Sequence, residues 1–337
     1  MKHNDTGAVV AVIGTGGSIA SIGHNTLDLH EYGDSGSIVD VGELIARCPE
    51  VHGVAKVIDV NIGQIGSSHI GPSDWLRFIE VIHSTVADHP ELTGIVLTHG
   101  TVTLEETAYF LDLAANVDIP IVLVGAQRPL TGLSSDGYIN LLNAVRAAAS
   151  PQCRDLGALV VLNNEIHAAR DVTKTSTYSL EAFNSRDLGK LGYVDVDGSV
   201  VVYRRPARHH APGTRFDVEG IPDLPRVDVV YSYAGAGGCA VESAVRAGAE
   251  AIVSAGFAPG VVTPAEWDAL VDARRSGIVV IQSTRAGGGR VLSSAKLQEA
   301  GIVVADNLNP QKSRILAMLA LTVTKDVERI QSFFDEY

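Results

Sequence analysis

Short runs of β-branched and other apolar residues alternate along this chain with stretches of helical periodicity, and that alternation leaves few folds open. A strand that is apolar on both faces has to be covered on both faces, which points to a parallel sheet with crossover helices. Ala8–Ile13, Gly94–Thr98, Ile119–Val124 and Leu156–Leu162 read as such strands, with helices from Leu104 to about Asn116 and over Asn140–Ala149. Glu105 and Glu106 fall in the first turn of the former, where negative charge suits the helix dipole. Between Tyr203 and Pro225 the pattern breaks around Pro206, Pro212, Pro222 and Pro225, which reads as a linker. Beyond it, Val227–Tyr233, Ala251–Ser254 and Ile278–Ile281 are strands. Thr263-Pro-Ala-Glu266 is a capping box opening a helix that ends at Gly277, and Asn309-Pro310 opens the last long helix. The expected architecture is α/β in two domains. Residues 1–202 form a larger N-terminal domain with a mostly parallel sheet and flanking helices, 203–225 a linker, and 226–337 a smaller C-terminal α/β domain.

A chain of 337 residues is long enough for two separate cores. Its 26 Lys+Arg against 39 Asp+Glu give a net charge of −13, which argues against nucleic acid as a partner. The one short basic patch, Arg204, Arg205, Arg208, His209 and His210, reads as a solvated linker face. The three cysteines, Cys48, Cys153 and Cys239, lie far apart, which is neither a disulfide framework nor a zinc site. No apolar run is long enough to cross a bilayer, and MKHNDTG lacks the features of a secretory leader, so the expected place is the cytosol, with no membrane partner.

Three segments carry residues suited to chemistry. The first, Gly14-Thr-Gly-Gly-Ser18, follows a strand directly. It is neither a dinucleotide fingerprint, since Ile19 stands where a third glycine belongs, nor a Walker loop. Its hydroxyls, Thr15 and Ser18, sit in a turn at a sheet's carboxyl edge, where open α/β folds place ligands. The second, Thr98-His-Gly-Thr101-Val-Thr103, also joins a strand to a helix. His99 alone reads more readily as a structural histidine than as a base, and Thr101 alone as a helix cap. The third is Asp171-Val-Thr-Lys174-Thr. A lysine held in a dry site has a lowered pKa and serves as a base toward a neighbouring hydroxyl, but spacing does not bring Lys174 to Thr101. No metal or redox motif is present, and no cofactor is expected.

Taken in order, these segments resemble the bacterial L-asparaginases. The motif Thr-Gly-Gly-Thr stands here as Thr15-Gly-Gly-Ser18, and His-Gly-Thr-Asp-Thr as His99-Gly-Thr-Val-Thr103, followed by LEETAYFLDL. Asp171-Val-Thr-Lys174-Thr, Val124-Gly-Ala126, Ser254-Ala-Gly256 and Asn309-Pro-Gln-Lys match as well, so the likeness spans essentially the whole chain. It implies a hydrolase without cofactor that acts on a small molecule as a homotetramer, with sites shared between chains. Position by position, it implies Ser18 as nucleophile, Thr101 as second catalytic hydroxyl, Lys174 as its partner and Tyr32 as the activating loop tyrosine. Ser67 falls on the serine that binds the substrate carboxylate, Ala126 would offer its carbonyl to the leaving amide, and backbone N–H groups near Gly100 and Thr101 would hold the oxyanion.

Four positions depart from that pattern. Ser68 replaces a glutamine, Val102 an aspartate and Val261 an asparagine, while no acid lies between Arg285 and Glu299. In the family these four groups hold the substrate ammonium, and an ammonium buried without them costs about 2–5 kcal/mol. The resulting expectation is a hydrolase of an amide, lactam, lactone or ester whose substrate lacks a free α-amine. The alternatives are a genuine asparaginase or glutaminase with a rebuilt amine pocket, and an inactive asparaginase-like protein that binds a ligand.

Overall fold

The computed structural model describes residues 7–35 and 37–337, which divide into two compact units, the second being Arg215–Tyr337. The division falls within the proline-bearing stretch. Up to Thr214 that stretch is anchored to the first unit, where the Ala211 amide donates to the Asp112 carbonyl at 2.7 Å.

In the first unit the early elements are β1 (Val9–Gly14), β2 (Ser21–Ile22), α1 (Tyr32–Ser35), β3 (Ser37–Ile38), α2 (Val41–Ala46) and β4 (Lys56–Asn61). Then come α3 (Pro72–Asp88), β5 (Gly94–Thr98), α4 (Leu104–Ala114), β6 (Ile121–Val124), α5 (Gly137–Ala149) and β7 (Ala158–Leu162). The unit closes with β8 (Glu165–Ala168), β9 (Thr173–Lys174), β10 (Phe183–Asn184), β11 (Gly192–Val194) and β12 (Val200–Val202). The main sheet runs β12-β11-β8-β7-β6-β5-β1-β4. β4, β1, β5, β6 and β7 are parallel, while β8, β11 and β12 extend the sheet antiparallel.

Its buried strands behave as continuous apolar runs should: β1, β5, β6 and β7 are buried at every position. Val10, Val12, Val96, Val122 and Val161 join Leu141, Ala144 and Val145 of α5 in one core. Alternation sends their neighbours to the opposite face, where α3 and α4 pack on each other through Trp75 and Phe110, stacked at 5.4 Å.

The strand order reverses at β1, with β4 on one side and β5 on the other. Such a reversal opens a crevice at the carboxyl ends of the strands.

The second unit is a parallel sheet ordered β13 (Val227–Tyr231), β14 (Ala251–Gly256), β15 (Val279–Thr284) and β16 (Val303–Val304). The helices α6 (Cys239–Arg246), α7 (Pro264–Arg275), α8 (Ala295–Glu299), α9 (Pro310–Val323) and α10 (Val327–Glu336) surround it. The capping box forms as read: the Thr263 hydroxyl accepts from the Glu266 amide at 3.2 Å, and the Glu266 carboxylate accepts from the Thr263 amide at 3.3 Å. A ring cluster of Phe216, Phe333 and Tyr337 packs α10 against the start of this unit, with Phe216 and Phe333 centroids 5.3 Å apart.

Candidate active site

β1 and β5 lie side by side, so the turns after Gly14 and Thr98 meet. Thr15 closes the seam: its amide and its hydroxyl both donate to the Thr98 carbonyl, at 3.3 and 2.7 Å. The turn by itself offered two hydroxyls, Thr15 and Ser18, of which the resemblance implied Ser18; Thr15 is fully buried and spent on the backbone. Gly17 has φ +85 and ψ 178, a conformation reserved for glycine, and a Cβ there would sit 2.3 Å from the Gly100 nitrogen. A Cβ on Gly100 would in turn lie 2.5 Å from the Ser67 hydroxyl. Three segments that carry site candidates thus touch through backbone that tolerates no side chain.

Ser18 opens a single 3₁₀ turn, Ser18–Ala20, and its hydroxyl lies 2.8 Å from the Tyr32 hydroxyl. Tyr32 is brought back by the small antiparallel pair β2–β3, which closes the intervening loop. Within that loop the Asp28 carboxylate accepts from the His24 and Glu31 amides, both at 3.0 Å. The loop is also tied to the segment after β6, since the Leu133 amide donates to the Thr26 carbonyl at 2.7 Å.

Beyond β5, His99 is fully buried. The Thr107 hydroxyl accepts the Trp75 indole N–H at 2.9 Å, so its single proton goes to His99 Nε2 at 2.9 Å. His99 Nδ1 therefore carries the ring proton and donates to the Gly100 carbonyl at 2.8 Å. Burial pushes its pKa down to about 4, so it is a neutral structural brace beneath the turn. The next hydroxyl is different: Lys174 Nζ donates to Thr101 Oγ1 at 2.7 Å, a contact between residues 73 apart in sequence. Burial lowers the Lys174 ammonium from its ordinary value.

Lys174 reaches that position because β9 is pinned by a residue that pattern reading took only for a helix-dipole charge. Glu105, in the first turn of α4 and 6% exposed, accepts from the Thr173 hydroxyl at 3.0 Å and the Lys174 amide at 3.2 Å. In the sequence Glu105 shows only as an acid at a helix start.

Ser67 is buried, and its carbonyl accepts from the Thr103 hydroxyl at 2.7 Å, which ties it to the Thr101 segment. Ser68 is exposed on the same 3₁₀ turn, Ser67–His69. Val102 is 61% exposed, an apolar side chain in the open between two anchored threonines. Ala126 is fully buried after β6, beside the anchored segment in which the Asp136 carboxylate accepts from the Gln127 and Arg128 amides. Val261 belongs to the second unit, half exposed in a turn where its amide donates to the Phe257 carbonyl at 3.0 Å. Among the described residues no group of three or more His, Cys, Asp and Glu is placed to hold a metal, and no helix is long and apolar enough to cross a membrane.

The arrangement is an α/β fold with two side-chain-held hydroxyls gathered at the switch point of a parallel sheet, the place where such folds bind small molecules. Comparison with known proteins gives the family. The description "Asparaginase, N-terminal" matches residues 9–208 and "Glutaminase/Asparaginase C-terminal domain" matches residues 226–334. The chain is 40% identical over 331 residues to "L-asparaginase 2" of Escherichia coli, covering 97% of this chain and 93% of that protein. It is 41% identical over 333 residues to the "Glutaminase-asparaginase" of Pseudomonas fluorescens, covering 98% and 91%. The crystal structure of a probable cytoplasmic L-asparaginase from Campylobacter jejuni superposes with a TM-score of 0.93 at 38% identity, covering 98% of this chain and all of that one. The chain belongs to the asparaginase family and is an amidohydrolase acting on C–N bonds.

Proposed function

We propose that the chain is a genuine asparaginase or glutaminase-asparaginase that converts L-asparagine to L-aspartate and ammonia through an acyl-enzyme on Ser18. The supporting observation is the pair of hydroxyls, Ser18 on Tyr32 and Thr101 on Lys174, at two strand ends whose backbones touch. In this reading Ser18 attacks the carboxamide carbon while its proton passes to the Tyr32 oxygen, which gives up its own proton in the same step as a relay. Backbone N–H groups near Gly100 and Thr101 carry the oxyanion. Thr101 accepts from Lys174, so its own proton points at the leaving group. The proton lost by Ser18 ends on the departing nitrogen, which leaves as ammonia. Water then cleaves the ester, giving the carboxylate and restoring Ser18. The names of relatives near 40% identity favour this substrate over one without an amine.

Val102 favours a second reading. An exposed valine offers an ammonium nothing to pair with and offers a methylene a favourable surface. A substrate without the α-amine, such as succinamic acid, suits that surface. Ammonia release from L-asparagine and succinamic acid, measured side by side, separates the two. Preference for L-asparagine supports the first reading, and preference for succinamic acid by tenfold or more replaces it with the second.

We place the enzyme in the cytosol, where its three free cysteines remain reduced. We also propose a homotetramer with shared sites, and a stable monomer of 35.4 kDa by light scattering would contradict it.

A further inference from the structure

Tyr32 and Lys174, which hold the Ser18 and Thr101 hydroxyls, are carried by separate loops, and a side-chain contact joins those loops at their outer ends. The first loop runs from Ser18 to Tyr32. The second is the hairpin of β9 and β10, which presents Lys174 at its base. That base is fixed twice. Glu105 holds Thr173 and Lys174, and the Ser185 hydroxyl meets His167 Nδ1 at 2.9 Å, whose Nε2 lies 3.2 Å from the Glu165 carboxylate on β8. The last three residues mimic a hydrolytic triad, but Ser185 is 2% exposed and no substrate reaches it, so they serve as a tether.

Above the base the hairpin stays closed, with the Thr175 amide donating to the Ala182 carbonyl at 2.6 Å. Its tip carries Tyr178, whose ring lies 6.0 Å from that of His30, tilted at 44°. His30 stands two residues before Tyr32, which holds Ser18.

We propose that Tyr178 and His30 are positioning residues that set the Ser18–Tyr32 pair against the Thr101–Lys174 pair by clasping the two loops together. The clasp is the outer tie between them, from a hairpin with a rigid base to a loop that carries the activating tyrosine. Tyr178 is 67% exposed, so its removal empties no core and leaves folding intact. An aromatic contact of this kind contributes the equivalent of about a two- to tenfold change in an equilibrium, and that is the scale on which Tyr32 would lose its place over Ser18.

The proposal rests on both pairs acting in one reaction, so its test has one arm that needs no substrate. Hydrogen exchange in the segment from Ser21 to Ser35 and steady-state kinetics on ammonia release are measured for the full chain and for Tyr178→Ala, His30→Ala, their double variant and Tyr178→Phe. Each alanine variant should speed exchange in that segment and lower kcat about two- to tenfold with little change in KM. The double variant should be no worse than the weaker single, because one contact is being removed twice. Tyr178→Phe keeps the ring and should behave as the parent. Unchanged exchange in Tyr178→Ala overturns the proposal, as do single effects that multiply in the double variant. A raised KM at constant kcat also overturns it, since Tyr178 would then be touching substrate.

Discussion

Gly17→Ala tests whether the contact between the two strand-end turns builds the site. The backbone at Gly17, φ +85 and ψ 178, lies where only glycine is at ease, and holding an alanine there costs about 1–3 kcal/mol. The added Cβ would stand 2.3 Å from the Gly100 nitrogen. Ordinary contact needs about 3.5 Å, and both neighbours are backbone, so the turns must part by about 1 Å. Parting them moves Ser18 and Tyr32 away from Thr101 and Lys174. A displacement of that size costs about 10²-fold in rate when the reacting groups must be aligned. The strain should lower the melting temperature by about 2–12 °C for a unit of this length. Calorimetry and an ammonia-release assay on the same preparation measure both. An alanine variant that melts with the parent and keeps most of its kcat would refute the argument, because the turns would then have no need to touch.

His99 gives a pH signature. Its pKa is held by burial at about 4 in the folded chain against 6.5 when exposed, so the unfolded state binds its proton first and stability falls as pH drops from 6.5 toward 4, by up to about 3 kcal/mol. His99→Asn keeps a donor toward the Gly100 carbonyl and should flatten that acid limb in urea titrations. Lys174→Met should lower kcat about 10²- to 10⁴-fold by leaving Thr101 without its partner. Since burial lowers the Lys174 pKa, its charged form is penalised in the fold, and the parent should gain stability over Lys174→Met as pH rises toward 10.5.

The buried half of the main sheet was open to pattern reading because strands such as β1 and β5 are nearly continuous apolar runs that end in glycine-bearing or threonine-bearing turns. β4 escaped it as an edge strand: Lys56, Asp59 and Asn61 face outward and break the apolar run. The antiparallel extension β8, β11 and β12 escaped it because strands of 3 or 4 residues carry too little period to register. In the site, the strand-end turn offered Ser18 as one of two hydroxyls and Thr101 alone read as a helix cap, so their catalytic roles rested on the family resemblance. Their holders, Tyr32 and Lys174, came from the family resemblance alone, because local sequence does not encode meetings such as Lys174 with Thr101. Tyr32 stood 14 residues from Ser18, within a loop whose closure depends on the β2–β3 pair. Glu105 was visible as a helix-start acid, but its grip on β9 depends on a strand 68 residues away.

Intact-protein mass spectrometry during slow amide turnover tests most directly whether Ser18 is the nucleophile. The parent should carry a transient acyl adduct that maps to Ser18, while Ser18→Ala should release no ammonia and melt within a degree or so of the parent, having lost only a half-buried loop hydroxyl. An adduct on Thr101, or substantial ammonia release by Ser18→Ala, would contradict that role.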